Sequence, residues 1–200
     1  MTFWDLCAPF YDLAEAANGR AYKKMLRVVR ALVPSGSRVL ECAAGTGAIS
    51  LACADRAEEI LCTDVSERML DVARRKAAKQ GAANIRFGSC DLYAIDQPDK
   101  SWDVVIAAQV LHLLNHPEWA AAELKRVAVK RIILPITLLE NVGPLARVKV
   151  GLWRTLGFAP LKSFDKAGYR RFLAEIGLPV TRFGVIAGEM PMAVAVIELA

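Results

Sequence analysis

From residue 38 onward the chain alternates short, unbroken apolar runs with longer stretches whose apolar positions recur three and four apart. Runs begin at Val39, Ile60, Asn84, Trp102 and Lys130, and Pro135 is expected to end the fifth. Val, Ile and Leu follow one another in them without polar alternation, as they should in parallel strands covered on both faces. Each run to about residue 136 is followed by a helix-like stretch, and that order predicts an α/β fold with a doubly wound sheet. Beyond it, residues 169–177 read as a helix closing at Gly177, and 179–185 and 192–199 as two further strands separated by Gly188 and Pro191. Strands joined by so short a connection run antiparallel.

Two segments stand outside this alternation. Before the first strand an aromatic stretch from Phe3-Trp4 to Phe10-Tyr11 leads into a helical pattern through Tyr22, Met25, Leu26 and Val29. After the fifth, Pro144 opens a stripe of Leu145, Val148, Leu152 and Leu156 at helical spacing. It reads either as a packing face or as a substrate wall, since open α/β sheets bind ligands beyond their strand carboxyl ends.

Composition adds limits. Two hundred residues fit one domain with a single core. Acids near the N-terminus argue against a signal peptide, and no apolar run approaches a membrane span, so a soluble cytoplasmic protein is expected. The five cysteines are odd in number and include no C-x-x-C pair, which argues against disulfides and a zinc cage. His112 and His116 stand four apart, but Asn115 and Pro117 interrupt the stretch and no third ligand is evident, so no metal is expected. The net charge of +5 owes much to residues 144–175, where Arg and Lys outnumber Asp165 and Glu175. A solvated face, an anionic small molecule, an acidic membrane surface or RNA would each account for that bias. An RNA enzyme would add a recognition module or aromatics interleaved with the charges, and neither is visible.

The chemistry concentrates in residues 39–50. Val39-Leu40 ends in Glu41, passes Cys42-Ala43-Ala44-Gly45-Thr46-Gly47 and opens into Ile49-Ser50-Leu51, which is a strand, a tight turn and a helix start. Gly45 and Gly47 let a ligand lie against bare backbone, and the first helical N–H groups face it. Glu41 is the wrong charge for a pyrophosphate and the right one for a ligand carrying an amine and a sulfonium. Asp64 ends the next strand seventeen residues past Gly47, where a carboxylate can take both hydroxyls of a ribose. Asp64 reads alternatively as a helix cap, although Ser66 is better placed for that.

With these residues the chain resembles the class I S-adenosylmethionine-dependent methyltransferases, in particular the small ubiquinone and menaquinone biosynthesis type. Their first motif is acid-x-G-x-G-x-G, and Ala43 replaces its first glycine. The resemblance implies a Rossmann-like seven-stranded sheet of order 3-2-1-4-5-7-6 with an antiparallel C-terminal hairpin, and S-adenosylmethionine as cofactor. It implies that Glu41, Ala43, Gly45, Gly47, Asp64 and Val65 form the cofactor site, with Asp91 bonding the adenine amine and Leu92 offering a backbone N–H. Met69 would pack on the adenine, or equally be a plain core methionine, and the backbone near Gln109 would hold the methionine amino group.

The same resemblance divides the single domain into an N-terminal helical lid (1–34), a cofactor core (38–136), an acceptor-site lid (137–175) and the hairpin (176–200). Tyr11 is the candidate lid contact and His112 the candidate base, with plain packing as the alternative for each. The implied partner is a small-molecule acceptor of unspecified chemistry. Two other readings stay open: a cofactor-binding protein without catalysis, and a nicotinamide-dependent oxidoreductase. Glu41, Ser50 in place of a third loop glycine, and the closing hairpin all stand against the second.

Overall fold

The structure, a computed structural model, describes residues 3–8, 19–140, 142, 143, 146, 151 and 161–199. Strand β1 (Ser37–Cys42) pairs in parallel with β2 (Ala57–Asp64) on one side and β4 (Trp102–Ala107) on the other. β3 (Ile85–Ser89) extends the sheet past β2, and β5 (Ala128–Thr137) extends it past β4. β7 (Met192–Glu198) runs antiparallel to β5 and β6 (Arg182–Ile186) antiparallel to β7, so the order is β3-β2-β1-β4-β5-β7-β6 as expected.

The unbroken apolar runs are explained by two cores, one on each face. Val39, Ile60, Val104 and Ile106 face α2 (Gly19–Leu32), α3 (Ala48–Cys53) and α4 (Glu67–Gln80). Leu40, Val105, Ile132 and Leu134 face α5 (Pro117–Val127) and α6 (Lys166–Glu175). Successive residues of one strand therefore go to opposite cores, and neither set can be polar. Helix ends follow local chemistry. The Ser66 hydroxyl accepts from the Met69 N–H at 3.3 Å to start α4, Gly81 ends it at φ 67°, and Pro117 opens α5.

One strand boundary needs correcting: β5 runs through Pro135 to Thr137. Pairing with β4 is recorded only to Ile106–Ile133, while pairing with β7 continues, Pro135 opposite Val194. The Pro135 carbonyl accepts from Gln109 on the β4 side. The missing N–H points to that same side, beyond the paired part of β4, and so interrupts no ladder. Among the described residues no helix is long and apolar enough to cross a membrane.

Candidate active site

The carboxyl ends of the parallel strands share one edge of the sheet, and the strand order reverses between β1 and β4, where an open α/β sheet forms its crevice. After β1 and β4 the backbone turns through left-handed conformations at Ala43 (φ 53°), Gly45 (φ 55°), Gly47 (φ 73°) and Gln109 (φ 54°). For Ala43 that conformation costs about 1–2 kcal/mol, which gives a physical reason for the glycine of the motif. An open cleft with about 840 Å3 of empty space, solvent mouth included, lies over these turns. Eight of the ten predicted cofactor residues line it: Ala43, Gly45, Asp64, Val65, Met69, Asp91, Leu92 and Gln109.

Asp64 is buried at the end of β2, and each of its oxygens accepts one backbone N–H at 2.8 Å, Oδ2 from Gly45 and Oδ1 from Ser66. Burial raises its pKa while these bonds oppose the rise. The Val65 N–H faces the carboxylate as well. Ser66 caps α4 as expected and donates its hydroxyl to Asp5 at 2.6 Å, which ties α1 (Phe3–Cys7) to the cleft. Trp4 of that helix is part of the lining.

Gly47 and Glu41 are the two predicted residues outside this cleft. A Cβ on Gly47 would come within 2.9 Å of the Ala73 Cβ in α4, so its bare Cα serves close packing of loop on helix. Glu41 is almost fully buried and accepts both the backbone N–H of Ser50, at 2.8 Å, and the Ser50 hydroxyl. Ser50 is in the first turn of α3, where N–H groups lack helical partners. Burial pushes the Glu41 carboxyl up to about 7 against those two bonds. Glu41 also lines a second, smaller cavity together with Tyr22, Met25 and Thr46. Ala43, Ala108 and Gln109 line both cavities, so one elongated ligand can occupy the two.

Gln109 is fixed by a reciprocal pair: its Nε2 donates to Thr137 Oγ1 at 2.5 Å and its Oε1 accepts from the Thr137 N–H at 2.8 Å. The end of β4 is thereby clamped to the end of β5. Met69 is fully buried, whereas Val65 is exposed on the rim. Asp91 is exposed and accepts from the Tyr93 N–H at 2.9 Å, closing the turn that carries Leu92.

His112 is buried in a short 3-10 turn, Leu111–Leu113, and is not part of the cleft lining, although Val110, Leu113 and Leu114 are. Among the described residues its Nδ1 has no hydrogen-bond partner, and burial lowers its pKa to about 4. A neutral imidazole of that pKa takes protons weakly at neutral pH. Tyr11 and all four residues of the stripe, Leu145, Val148, Leu152 and Leu156, lie outside the described residues. Among the described residues no group of three metal-ligating side chains comes together. Trp4, Ser50 and Thr137 are site residues the sequence reading missed. Ser50 carried a signal, since it falls in the first turn of a helix facing an acid.

A sheet of this order with its ligand cleft at the β1–β4 reversal defines the fold of the class I S-adenosylmethionine-dependent methyltransferases. Residues 39–130 match a family model described as a methyltransferase domain. The ubiquinone/menaquinone biosynthesis C-methyltransferase UbiE of Paraburkholderia xenovorans is 37% identical over 174 residues, 82% of this chain and 69% of that protein. Its namesake from Burkholderia multivorans is 38% identical over 120 residues, 58% of this chain and 49% of its own length. The chain thus spans about half to two thirds of these curated relatives. It belongs to the class I S-adenosylmethionine-dependent methyltransferases of UbiE type.

Solved structures agree on the fold. The Synechocystis magnesium protoporphyrin IX methyltransferase with bound S-adenosylhomocysteine superposes with a TM-score of 0.68 at 20% identity, covering 90% of this chain and 85% of that one. The [4+2]-cyclase SpnF gives 0.75 at 17% identity, covering 98% and 93%. Since one of these is a cyclase by name, the fold alone does not name the reaction.

Proposed function

We propose that this protein methylates a ring carbon of a small apolar acceptor, as the name C-methyltransferase of its UbiE relatives suggests. The observation that carries this reading is the wall of the cleft beyond β4. Ala108, Val110, Leu113 and Leu114 make it apolar, and the one histidine near it is buried and neutral. Such a wall suits a flat apolar ring, and the proton that the methylated ring carbon gives up passes to solvent.

The residues fit the cofactor along its length. Asp64 takes the ribose hydroxyls, Met69 and Leu92 flank the adenine, and Asp91 accepts from its amine. Gln109, held by Thr137, presents its main chain to the methionine amino group, and Glu41 offers its charge to that group from the second cavity. Gly47 supports the loop from behind, Val65 covers the rim, and Trp4 closes it from α1. Tyr11 is retained as a lid contact and His112 as a residue behind the acceptor wall. The division into helical lid, core, acceptor lid and hairpin belongs to the same reading. So does a cytoplasmic location, where the five cysteines, all free, would stay reduced.

A sulfonium supplies an already activated methyl carbon, so holding the acceptor in line and excluding water carries most of the acceleration. The test has two parts. Calorimetric titration with S-adenosylhomocysteine, with NAD in parallel, should show saturable one-site binding of the former alone. Incubation with methyl-labelled S-adenosylmethionine and a panel of phenolic, quinol, amine and thiol acceptors should then label a ring carbon. Binding with no labelled product from any of them would make this a cofactor-binding protein, and binding of NAD alone would overturn the site.

Cofactor affinity should also depend on pH. A cationic ligand beside Glu41 favours the carboxylate, while the empty site holds a proton until about pH 7. Binding of S-adenosylhomocysteine is therefore expected to be roughly tenfold weaker at pH 6 than at pH 8, with Glu41→Gln flattening most of the slope. Fold stability runs the other way. The folded pKa of Glu41 is above its unfolded value of 4.5, so its contribution is full below that pH and is lost as pH rises through 7.

A further inference from the structure

Helix α1 is five residues long, far below the length at which a helix holds itself in water. Its seat must come from contacts with the rest of the chain. Leu6 points outward and is exposed, and among the described residues Trp4 belongs to neither core of the sheet. Yet Trp4 lines the cleft together with Asp64, Val65 and Met69. Its neighbour Asp5 accepts the hydroxyl of Ser66 at 2.6 Å, across sixty-one residues of chain.

Ser66 is bonded three ways. Its N–H donates to Asp64 Oδ1 at 2.8 Å, its hydroxyl oxygen accepts from the Met69 N–H at 3.3 Å, and its hydroxyl proton goes to Asp5. A hydroxyl has one proton to give, so the bond to Asp5 uses all of its donor capacity. The serine is itself buried, and a hydrogen bond to a carboxylate is stronger there than in water. The carboxylate assigned to the ribose, the start of the helix that carries Met69, and α1 with its tryptophan therefore meet at one side chain. Asp5 and Asp64 also carry like charges that oppose each other. The bond to Ser66 gives a reason for a carboxylate to stand there in spite of that repulsion.

We propose that Asp5 is a positioning residue for the cofactor: its bond to Ser66 seats Trp4 over the occupied cleft and so sets how slowly the cofactor and its product leave. The inference deepens the cofactor reading of the cleft and rests on it. Asp5 makes no bond to the ligand and acts through Trp4, whose ring covers apolar ligand surface and keeps water out. A ligand on Asp64 and a helix on Ser66 brace neighbouring links of one hydrogen-bonded chain. Filling the ribose site and seating α1 therefore favour each other, and the coupling is the same in both directions.

The test is the rate at which S-adenosylhomocysteine leaves the immobilised full chain, followed by surface plasmon resonance. Asp5→Ala and Trp4→Ala should each speed dissociation about tenfold, the lower end of what a hydrogen bond to a charged group is worth, while association changes little. The double variant should be no faster than Trp4→Ala, because the bond acts through the ring. Asp5→Asn keeps an acceptor for the Ser66 hydroxyl and loses the charge, so it should restore the slow rate. Melting temperatures measured alongside should hold steady, since Trp4 is part of neither core. An unchanged rate in Asp5→Ala, or effects that multiply in the double variant, would overturn the positioning role. So would an Asp5→Asn variant as fast as Asp5→Ala, by showing that charge and not the bond retains the ligand. If the unmodified protein does not bind S-adenosylhomocysteine at all, the cofactor reading falls and this inference with it, whereas binding with rates indifferent to Asp5 removes the positioning role alone.

Discussion

Asp64→Ala is expected to weaken S-adenosylhomocysteine binding by roughly a hundred- to ten-thousandfold. Each hydrogen bond from a ribose hydroxyl to a carboxylate is worth about 1.5–3 kcal/mol, and two are lost together. The carboxylate also bridges Gly45 and Ser66 through two 2.8 Å bonds, so the variant releases the loop after β1 from the start of α4. Asp64→Asn separates the two roles. Its single amide oxygen can keep one backbone N–H, but its NH2 group faces the other N–H donor-to-donor and cannot accept a hydroxyl. Its affinity should therefore fall nearly as far as that of the alanine variant while its melting temperature moves less. Calorimetry and thermal denaturation on the same preparations check both. An affinity unchanged in Asp64→Ala would mean that the ribose lies elsewhere.

The fold was legible because its strands are buried on both faces, which writes continuous Val, Ile and Leu runs into the chain, and because the acids Glu41, Asp64 and Asp91 each fall at or just beyond a strand end. Local chemistry was equally plain where a side chain serves its own neighbours, as Ser66 does for α4. What stayed hidden depends on pairings distant in sequence. Gln109 meets Thr137 only once β4 and β5 lie side by side, and Trp4 comes to the cleft on a helix whose Asp5 accepts from Ser66, sixty-one residues away. Pro135 misled for a related reason: a proline ends a strand when its missing N–H interrupts a ladder, and which side that N–H would face is a property of the sheet. The flanking leucines hinted at the burial of His112, but its exclusion from the cleft is set by the turn of the chain after β4. Glycines were the most ambiguous. The motif treats Gly45 and Gly47 alike, yet one lines the cleft and the other faces a helix.

That difference leads to the second large effect, which is on stability. Gly47→Ala is expected to destabilise the protein by about 2–5 kcal/mol, combining about 1–2 for a side chain held in the left-handed region with about 1–3 for overpacking. In a domain of this size the melting temperature should fall by about 4–20 °C. Gly36→Ala is the control. Gly36 has nearly the same φ, 72° against 73°, but nothing lies within 4 Å of its added Cβ, so only the backbone part of the penalty should appear. The contact part is isolated by pairing Gly47→Ala with Ala73→Gly, since the added Cβ meets the Ala73 Cβ at 2.9 Å. In that background the helix loses about 1 kcal/mol from glycine itself, but the added cost of Gly47→Ala should shrink toward that of Gly36→Ala. Additive penalties in the double variant would show that the loop does not bear on α4 at this point. Coupled penalties would mean that the second motif glycine acts by letting the loop close on the helix behind it, which holds Gly45 and Asp64 in register for the ligand in front.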